Sequence, residues 1–329
     1  MPLISMRIED FDSTNYIQHS EKDKLNSLIT VIISTKNRWS DLEKALLSLR
    51  VQSLPHKLII MDDNSSDGTS KKIKFFFPEA ELHSFDVSMG YIVRRNQAIG
   101  LSQTPYVLSI DDDCVLENSE ILSEMAIFCL KSKSKAVAWP YIDVNLNSIR
   151  YSHSEGISQT HSFTGCAFLV QKEKFLQVGG FRECFIHQGE EEDFCIRLLQ
   201  HGYPVVIGNG NAITHNESSK RSWERMDYFG SRNLILFAFF NVPFPLLLIQ
   251  LAFSAFKSII FGFKIGRPYH KIRGVIAGFR DGIKYYSKER KPVSVKTYLR
   301  YRKLKKNYLA SKKSQVLDHS KPCLIQTTI

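Results

Sequence analysis

The sequence predicts an α/β fold with a mostly parallel central sheet, flanked by helices and followed by a basic helical extension. Runs rich in Val and Ile alternate with segments whose apolar residues recur at helical spacing. Polar clusters ("STKNR", "DDNSSDGT" and "DDD") follow three of the predicted strands. The charge is unevenly divided: residues 257–329 carry 19 Lys and Arg against 3 Asp and Glu, and the remainder carries 25 against 30. This asymmetry indicates an anionic partner for the C-terminal region.

The first half alternates regularly between strand and helix patterns, as expected of a parallel sheet with crossover helices. The predicted strands are "SLITVIIS" (27–34), "HKLIIMD" (56–62), "ELHSFD" (81–86) and "PYVLSI" (105–110). The predicted helices are "RWSDLEKALLSLRVQ" (38–52), a helix opened by the turn "DNSSDGTSKK" (63–72), and "MGYIVRRNQAIGLS" (89–102).

The second half is less regular but continues the α/β pattern. "AVAWPYID" (136–143) and "GCAFLVQ" (165–171) predict strands. "GEEEDFCIRLLQHG" (189–202) predicts a helix with an acidic first turn that ends at Gly202. "YPVVIGNGNAITHN" (203–216) predicts strands joined by a turn, with His215 near the end. We therefore expect an arm over 1–27, an α/β domain over 28–233 and a hydrophobic and basic helical region over 234–329.

The segment 234–256 contains no charged residue and approaches the length that spans a bilayer. Pro243 and Pro245 should divide it into two helices, each too short to cross. Aromatic and aliphatic residues mixed with cations follow it, as in interfacial helices on anionic lipid. We expect a peripheral or monotopic protein on the cytoplasmic side of the cell membrane. A buried helical hairpin is the alternative.

Several classes of protein are not supported. The chain has no G-x-G-x-x-G and no G-x-x-x-x-G-K-[ST] motif, so neither a dinucleotide dehydrogenase nor a P-loop ATPase is indicated. None of the six cysteines forms a C-x-x-C pair, and we expect reduced thiols in a cytosolic protein. The N-terminal segment has early acidic residues and no long apolar core, so it is not a secretory signal.

The triple aspartate in "SIDDDCV" (109–115) is the strongest local indication of a ligand site. Three adjacent carboxylates repel one another, yet a buried strand delivers them to the edge of the sheet where ligands bind. On an extended chain, alternation puts Asp111 and Asp113 on one side, where both can reach one Mg²⁺ or Mn²⁺. Asp112 would then point elsewhere, to a ribose hydroxyl for example.

The order of these motifs resembles glycosyltransferase family 2, whose members have the GT-A fold. The similarity covers about residues 28–233. It indicates the family and the fold, but it says little about which sugar would be transferred. It is carried by "VIISTKNR", "IIMDDNSSDGT", "MGYIVRRNQAIG", "SIDDDCV", "GCAFLV", "VGGFRECF", "GEEEDFCIRLLQHGY" and the later His215.

The resemblance implies a role for each matching position. The nucleotide sugar would be bound by Thr35 and Arg38 near the base, by either Asp62 or Asp63, by Arg95, and by Asp111 and Asp112. A Mn²⁺ or Mg²⁺ cofactor would be held by Asp113 as the direct ligand, with Asp111 and His215. Glu192 and Asp193 match the family's acidic pair, with Asp193 as the general base.

The implied reaction is inverting and metal-assisted. The donor diphosphate would be neutralised by the metal, while Asp193 takes a proton from an acceptor hydroxyl as it attacks the anomeric carbon. The acceptor would belong to a lipid-linked or cell-surface glycan. In the basic loop after His215, we expect Lys220 or Arg221 to close over the departing diphosphate, with Trp223 packing as a lid.

Two other functions remain open at this point. A sugar-phosphate nucleotidyltransferase shares the general sheet architecture, but "STKNRWSD" lacks the Gly- and Lys-rich loop that it would need. The basic C-terminal region could bind nucleic acid, with its aromatic residues stacking on bases. The adjoining uncharged segment fits lipid better than nucleic acid.

Overall fold

The computed structural model describes residues 28–151, 156–216 and 222–317. The N-terminal arm (1–27), Lys220 and Arg221 lie outside these residues. The strands are β1 (Ile29–Thr35), β2 (Lys57–Asp62), β3 (Glu81–Ser84), β4 (Tyr106–Asp111), β5 (Cys114–Val115), β6 (Ala136–Ala138), β7 (Tyr141–Asp143), β8 (Ser148–Arg150), β9 (Gln159–Thr160), β10 (Ala167–Gln171), β11 (Val205–Ile207) and β12 (Ile213–His215). The helices are α1 (Trp39–Arg50), α2 (Thr69–Phe76), α3 (Tyr91–Leu101), α4 (Ile121–Ser132), α5 (Lys172–Gln177), α6 (Glu190–Gln200), α7 (Trp223–Asn241), α8 (Leu246–Lys264), α9 (Pro268–Lys284), α10 (Tyr286–Glu289) and α11 (Val295–Leu317).

The central sheet confirms the predicted architecture. Within the described residues its strand order is β3-β2-β1-β4-β10-β6-β11-β9. The pairs β3–β2, β2–β1 and β1–β4 are parallel, and β10 runs antiparallel between β4 and β6. The predicted strands of the first half are therefore neighbours, and the carboxyl ends of β1, β2 and β4 meet at one edge.

A smaller sheet with strand order β5-β12-β7-β8 closes this edge. The predicted strand "AVAWPYID" is divided between the sheets, because Pro140 separates β6 from β7. In the small sheet His215 pairs with Cys114 on one side and with Asp143 on the other. This pairing brings β12 next to the turn that follows β4.

The expected domain boundary at 233/234 falls inside one continuous helix, α7. The inner face of α7 is buried against the α/β domain, where Phe240 packs on Phe185 and Asn241 contacts Asp193. The first part of the uncharged segment therefore completes the core, as in the alternative of a buried hairpin.

Pro243 and Pro245 separate α7 from α8, as predicted. The expectation that both halves are too short to cross a membrane is wrong for α8, because this helix continues beyond 256 to Lys264. At 19 residues, α8 is the one helix in the described part of the chain that is long and apolar enough to span a bilayer. Only 28% of its apolar window is buried within the protein.

Helices α8 and α9 each present an apolar stripe outward. Ile249, Phe256 and Phe263 recur every seven residues along α8 and are about two-thirds exposed, at 68%, 66% and 65%. Tyr269, Ile276 and Ile283 form a similar row on α9. The opposite face of α8 carries small residues such as Ser258 and Gly262, and Gly262 packs closely against α9. The two helices thus form a packed pair with an exposed apolar surface.

Candidate active site

A cavity of about 680 Å³ lies at the carboxyl ends of β1 and β4, between them and the first turn of α6. Its position is the one expected for ligands of a mostly parallel sheet. Of the residues predicted from sequence, Thr35, Arg38, Asp63, Arg95, Asp111, Asp112 and His215 line this cavity. Most of the sequence-predicted nucleotide and metal residues therefore converge on one cleft.

The predicted metal-ligand residues lie together. One ligand atom each from Asp111, Asp113 and His215 lies within 4.8 Å of the others. His215 Nε2 is 3.1 Å from Asp113 Oδ1, a buried oxygen that has no other partner in the described residues. Two carboxylates and an imidazole are suitable ligands for Mn²⁺ or Mg²⁺. The residues present therefore fit a divalent cation.

The expected strand alternation is not what brings the two aspartates together. β4 ends at Asp111, and Asp112 and Asp113 form a turn before β5. The turn directs Asp113 towards His215. Although burial lowers it, the hydrogen bonds with Asp113 and Cys166 raise the pKa of His215 to about 11. At this pKa the imidazole of His215 is protonated at neutral pH. A cation that binds at Nε2 must therefore displace the proton on that nitrogen.

Strand alternation predicted that Asp112 points away from Asp111 and Asp113, but its side chain lies in the same site. Its carboxylate accepts a hydrogen bond from Thr35 Oγ1 at 2.8 Å and pairs with Arg38 at 3.0 Å. Arg38 also donates to Asp113 at 2.8 Å. Burial raises the pKa of Asp112 to about 7, and Asp113 adds to this while Arg38 opposes it. Arg38 thus bridges two carboxylates of the triple aspartate, because its guanidinium can bond both at once.

Asp62 and Asp63 differ in their position relative to the cavity. Asp62 accepts hydrogen bonds from Ser65 N and Ser70 Oγ, and so holds the turn after β2. Asp63 lines the cavity, and its carboxylate anchors the segment before α3 through Met89 N at 2.9 Å and Arg94 Nε at 2.6 Å. Hydrogen bonds from these partners and from Ser88 and Gly90 outweigh burial and lower the pKa of Asp63.

Arg95 connects Asp111 of the triple aspartate with helix α6. It is buried, donates to Asp111 and to the carbonyl of Gly165, and lies 3.7 Å from Glu190. Its guanidinium lies 4.8 Å from the centre of the Tyr91 ring. Arg95 therefore holds the side chain of Asp111 in position and does not extend freely into the cavity.

Glu191 is the acidic residue of α6 that lines the cleft. Its Oε1 accepts a hydrogen bond from Gly165 N at 3.2 Å. Burial raises the pKa of Glu191, and Asp111 adds to the effect, while Arg95 opposes it. The neighbouring Glu190 is fully buried, and neither of its carboxylate oxygens has a hydrogen-bond partner in the described residues. Glu191 was not singled out from the sequence.

The positions of Asp193 and Glu192 do not fit the catalytic pair expected from the resemblance. Asp193 is turned into the core, where it contacts Arg182 and Arg197. Burial would raise the pKa of Asp193, but the two arginines outweigh it and lower the pKa. Glu192 pairs with Lys305 of α11 at 2.7 Å and accepts from Tyr301 Oη at 2.6 Å. A helix turns by about 100° per residue, so successive acidic side chains face different surroundings.

Trp223 stands at the start of α7 and is 54% exposed, with the Arg267 guanidinium 4.8 Å from its ring centre. Within the described residues it does not line the cleft, whereas Ser222, Arg225 and Met226 do. The lid expected of Trp223 is therefore not seen in this conformation. Other cleft residues that the sequence did not indicate as site residues include Tyr91, Tyr141, Asp143, Thr164, Gly165, Cys166 and Gln188. Gly165 carries a local signal, since it begins the predicted strand 165–171.

A second cavity of about 340 Å³ adjoins the first. Thr164, Gln188 and Glu191 line both, so Glu191 stands where the two meet. The second cavity is bounded by aromatic and polar side chains, including Tyr151, His161 and Tyr308. The site thus has two compartments with one carboxylate between them.

Comparison with known proteins identifies the family. The sequence profile of glycosyl transferase family 2 matches residues 30–182, and that of the N-terminal domain of galactosyltransferase matches residues 148–218. Residues 30–182 thus belong to glycosyltransferase family 2. Residues 30–182 contain the triple aspartate and Arg95, and residues 148–218 contain α6 and His215. The two matches therefore cover the elements that build the cleft.

The relatives found by sequence are distant. It is 24% identical over 274 residues to a pre-mycofactocin glycosyltransferase of Mycobacterium tuberculosis, covering 77% of this chain. The chain spans 57% of the length of that curated relative.

Solved structures share the fold. S. aureus TarS 1–349 in complex with UDP-GlcNAc has a TM-score of 0.58 at 17% identity, covering 78% of this chain and 81% of that one. The mannosyltransferase PcManGT from Pyrobaculum calidifontis, in complex with GDP-Man and Mn²⁺, has a TM-score of 0.52 at 15% identity, covering 88% and 84%. These similarities confirm the predicted GT-A architecture.

Proposed function

We propose that this family 2 chain transfers a sugar from a nucleotide-diphosphate sugar to an acceptor hydroxyl with inversion at the anomeric carbon. The observation that carries the proposal is the two-compartment site, in which Asp111 and His215 line one cavity with Asp113 beside them, and Glu191 stands between both cavities. Family membership supports the reaction class. The donors named for TarS and PcManGT, UDP-GlcNAc and GDP-Man, support a nucleotide-sugar donor.

The donor would occupy the larger cavity. Thr35, Arg38 and Asp63 would surround its base and ribose, and the diphosphate would face the triple aspartate. A Mn²⁺ or Mg²⁺ held by Asp111, Asp113 and His215 would supply a positive charge that makes the nucleoside diphosphate a better leaving group. The Mn²⁺ named with PcManGT is consistent with such an ion.

Glu191 fits the general base better than Asp193, because Glu191 faces both cavities and Asp193 faces neither in the described structure. Glu191 would take the proton of the acceptor hydroxyl as that oxygen attacks from the second cavity. Its raised pKa makes it a stronger base than an ordinary carboxylate. Arg95, which contacts Asp111 and lies next to α6, would fix the distance between metal and base.

We further propose that the exposed stripe of α8 and α9 lies on an anionic membrane surface. Ile249, Phe256 and Phe263 would enter the interface, and the cations that flank the stripe, such as Lys264 and Arg273, would meet lipid headgroups. This placement would bring the second cavity near acceptors that are anchored in the membrane. We therefore propose that the acceptor hydroxyl belongs to a lipid-linked or cell-surface glycan.

The reaction class is tested with a panel of nucleotide sugars in the presence of Mn²⁺ or Mg²⁺. We expect at least one donor to raise the melting temperature and to be slowly hydrolysed when no acceptor is present. Loss of both effects on addition of EDTA would support the metal site. If no donor binds or turns over with either metal, the proposal is wrong.

A further inference from the structure

A third cavity of about 730 Å³ runs between α8 and α11. Apolar side chains form much of its surface: Leu234, Phe237, Phe253, Leu309 and Ala310. Five cations also line it, namely Lys257, Arg302, Lys303, Lys305 and Lys306. We call this cavity the α8–α11 groove. It combines an apolar surface with a strongly basic one.

The positive charge of the groove is mostly uncompensated. Glu192 is the single carboxylate among the described residues that line it, and Glu192 is already paired with Lys305. In the described part of the chain, Lys257, Lys303 and Lys306 form no ion pair. A groove with this charge and an apolar floor favours a ligand that is both anionic and lipophilic.

The groove adjoins the site. Glu192, Leu234 and Phe237 line both the groove and the second cavity, which in turn shares Glu191 with the donor cavity. Glu192 therefore stands between the groove and the cavity that contains the proposed base. On its other side the groove is lined by Phe253 of α8, the helix whose Phe256 belongs to the exposed stripe.

We propose that the α8–α11 groove binds the lipid phosphate or diphosphate portion of a lipid-linked acceptor. The chain would lie on Phe237, Phe253 and Leu309, its phosphates would face Lys257 and the α11 lysines, and its sugar end would reach towards Glu191. This inference rests on the proposed glycosyl transfer and narrows its acceptor class. An acceptor lacking either the phosphate or the chain would use only half of the groove.

The test measures equilibrium binding of farnesyl diphosphate, a short lipid diphosphate, to the full chain in EDTA with no divalent cation. Inorganic pyrophosphate supplies the anion without the chain, and farnesol supplies the chain without the anion. We expect farnesyl diphosphate to bind at least tenfold more tightly than either, because it uses both surfaces of the groove.

Matched variants locate the binding. Lys257→Glu combined with Lys303→Glu reverses two charges that line the groove. Lys264→Glu combined with Lys296→Glu reverses two exposed charges of the same helices that do not line it. We expect the first pair to weaken farnesyl diphosphate binding at least tenfold and the second to change it less than twofold.

The apolar surface is tested separately. Phe253→Asn alters a groove residue, and Phe256→Asn alters an exposed residue of the same helix outside it. We expect Phe253→Asn to weaken farnesyl diphosphate binding and to leave pyrophosphate binding unchanged, with Phe256→Asn close to wild type.

Equal effects of the groove and control variants would overturn the inference, as would displacement of the probe by a single-stranded oligonucleotide at equal concentration. Arg225→Gln removes a positive charge that lines the donor cavity and not the groove, so this variant should retain farnesyl diphosphate binding. Loss of binding in this variant would place the probe in the donor cavity and would also overturn the inference. Donor hydrolysis separates the two proposals. If wild type hydrolyses a nucleotide sugar but the groove variants bind the probe normally, only the groove assignment fails.

Discussion

Asp193 accepts a hydrogen bond from Arg197 Nη2 at 2.8 Å, one turn further along α6, and both side chains are buried in the core. Asp193 also contacts Arg182, which reaches α10 through Glu289. The carboxylate therefore neutralises two buried arginines and joins α6 to the C-terminal helices. We expect Asp193→Asn to lower the free energy of unfolding by about 3–5 kcal/mol, because one partner of a buried charge network is lost. Urea unfolding followed by circular dichroism measures this.

The matched control for Asp193→Asn is Glu191→Gln, two residues away on the same helix. Burial disfavours the charge of Glu191, so its removal should leave the stability unchanged or slightly higher. Equal stability of both variants would contradict the structural role assigned to Asp193.

Glu191→Gln should lower kcat by about 10²–10⁴-fold, the range typical of a lost general base. The KM for the donor should change little, because the amide keeps the shape of the carboxylate and the donor residues are untouched. Steady-state kinetics with the donor found in the panel tests this. A variant that keeps more than half of the wild-type kcat would exclude Glu191 as the base.

The pH dependence of kcat should also report Glu191. A base acts when deprotonated, so activity falls as the pH falls through its pKa, and a raised pKa moves this acid limb above the usual carboxyl value of about 4.3. Asp111 favours protonation of Glu191 and Arg95 opposes it. Arg95→Gln removes the opposing positive charge and should shift the limb to higher pH. A limb that does not move would argue against the titration of Glu191.

Gly165→Ala should disturb the site without disturbing the fold. A Cβ at this position would lie 2.6 Å from Arg95 Nη1 and 3.1 Å from Glu191 Oε1, so both side chains must move. A displacement of this size can cost about 10²-fold in rate. Gly100→Ala on α3 is the control, since nothing lies within 4 Å of its added Cβ. Similar kcat values for the two variants would contradict the proposed coupling of Arg95 and Glu191.

Much of the fold follows from local patterns in the sequence. The β-branched runs of β1, β2 and β4 have few alternatives to a buried strand, and the polar residues after them must then share one sheet edge. The pattern did not reveal that Pro140 moves the chain from one sheet to the other. Nor did it reveal that α7 crosses the expected domain boundary, because burial of an uncharged helix depends on partners that are distant in sequence.

The site residues show where the sequence is ambiguous. Residues 190 to 193 are all acidic, and the helix places each of their side chains in a different environment. The local sequence does not say which of the four faces the cleft. The partners decide it: Arg182 lies eleven residues before Asp193, and Lys305 lies more than a hundred after Glu192. Asp111 and Asp113 were easier to predict as candidate metal ligands, because they follow a buried strand, whereas His215 was indicated only by the resemblance to the family.

Asp113→Asn should abolish metal-dependent transfer while leaving the fold intact. Asp113 Oδ1 is buried, and its partner among the described residues is His215 Nε2 at 3.1 Å, so a cation that displaces the imidazole proton can bind both atoms. An Asn side chain has the same shape but supplies no negative charge to bind Mn²⁺. Calorimetric titration of Mn²⁺ in the presence of the donor's nucleoside diphosphate should show loss of binding. Asp143→Asn, which alters an acidic residue that lines the donor cavity, should bind Mn²⁺ nearly as wild type does. If instead Asp113→Asn binds Mn²⁺ normally and Asp143→Asn does not, the metal lies on the other side of His215, towards β7.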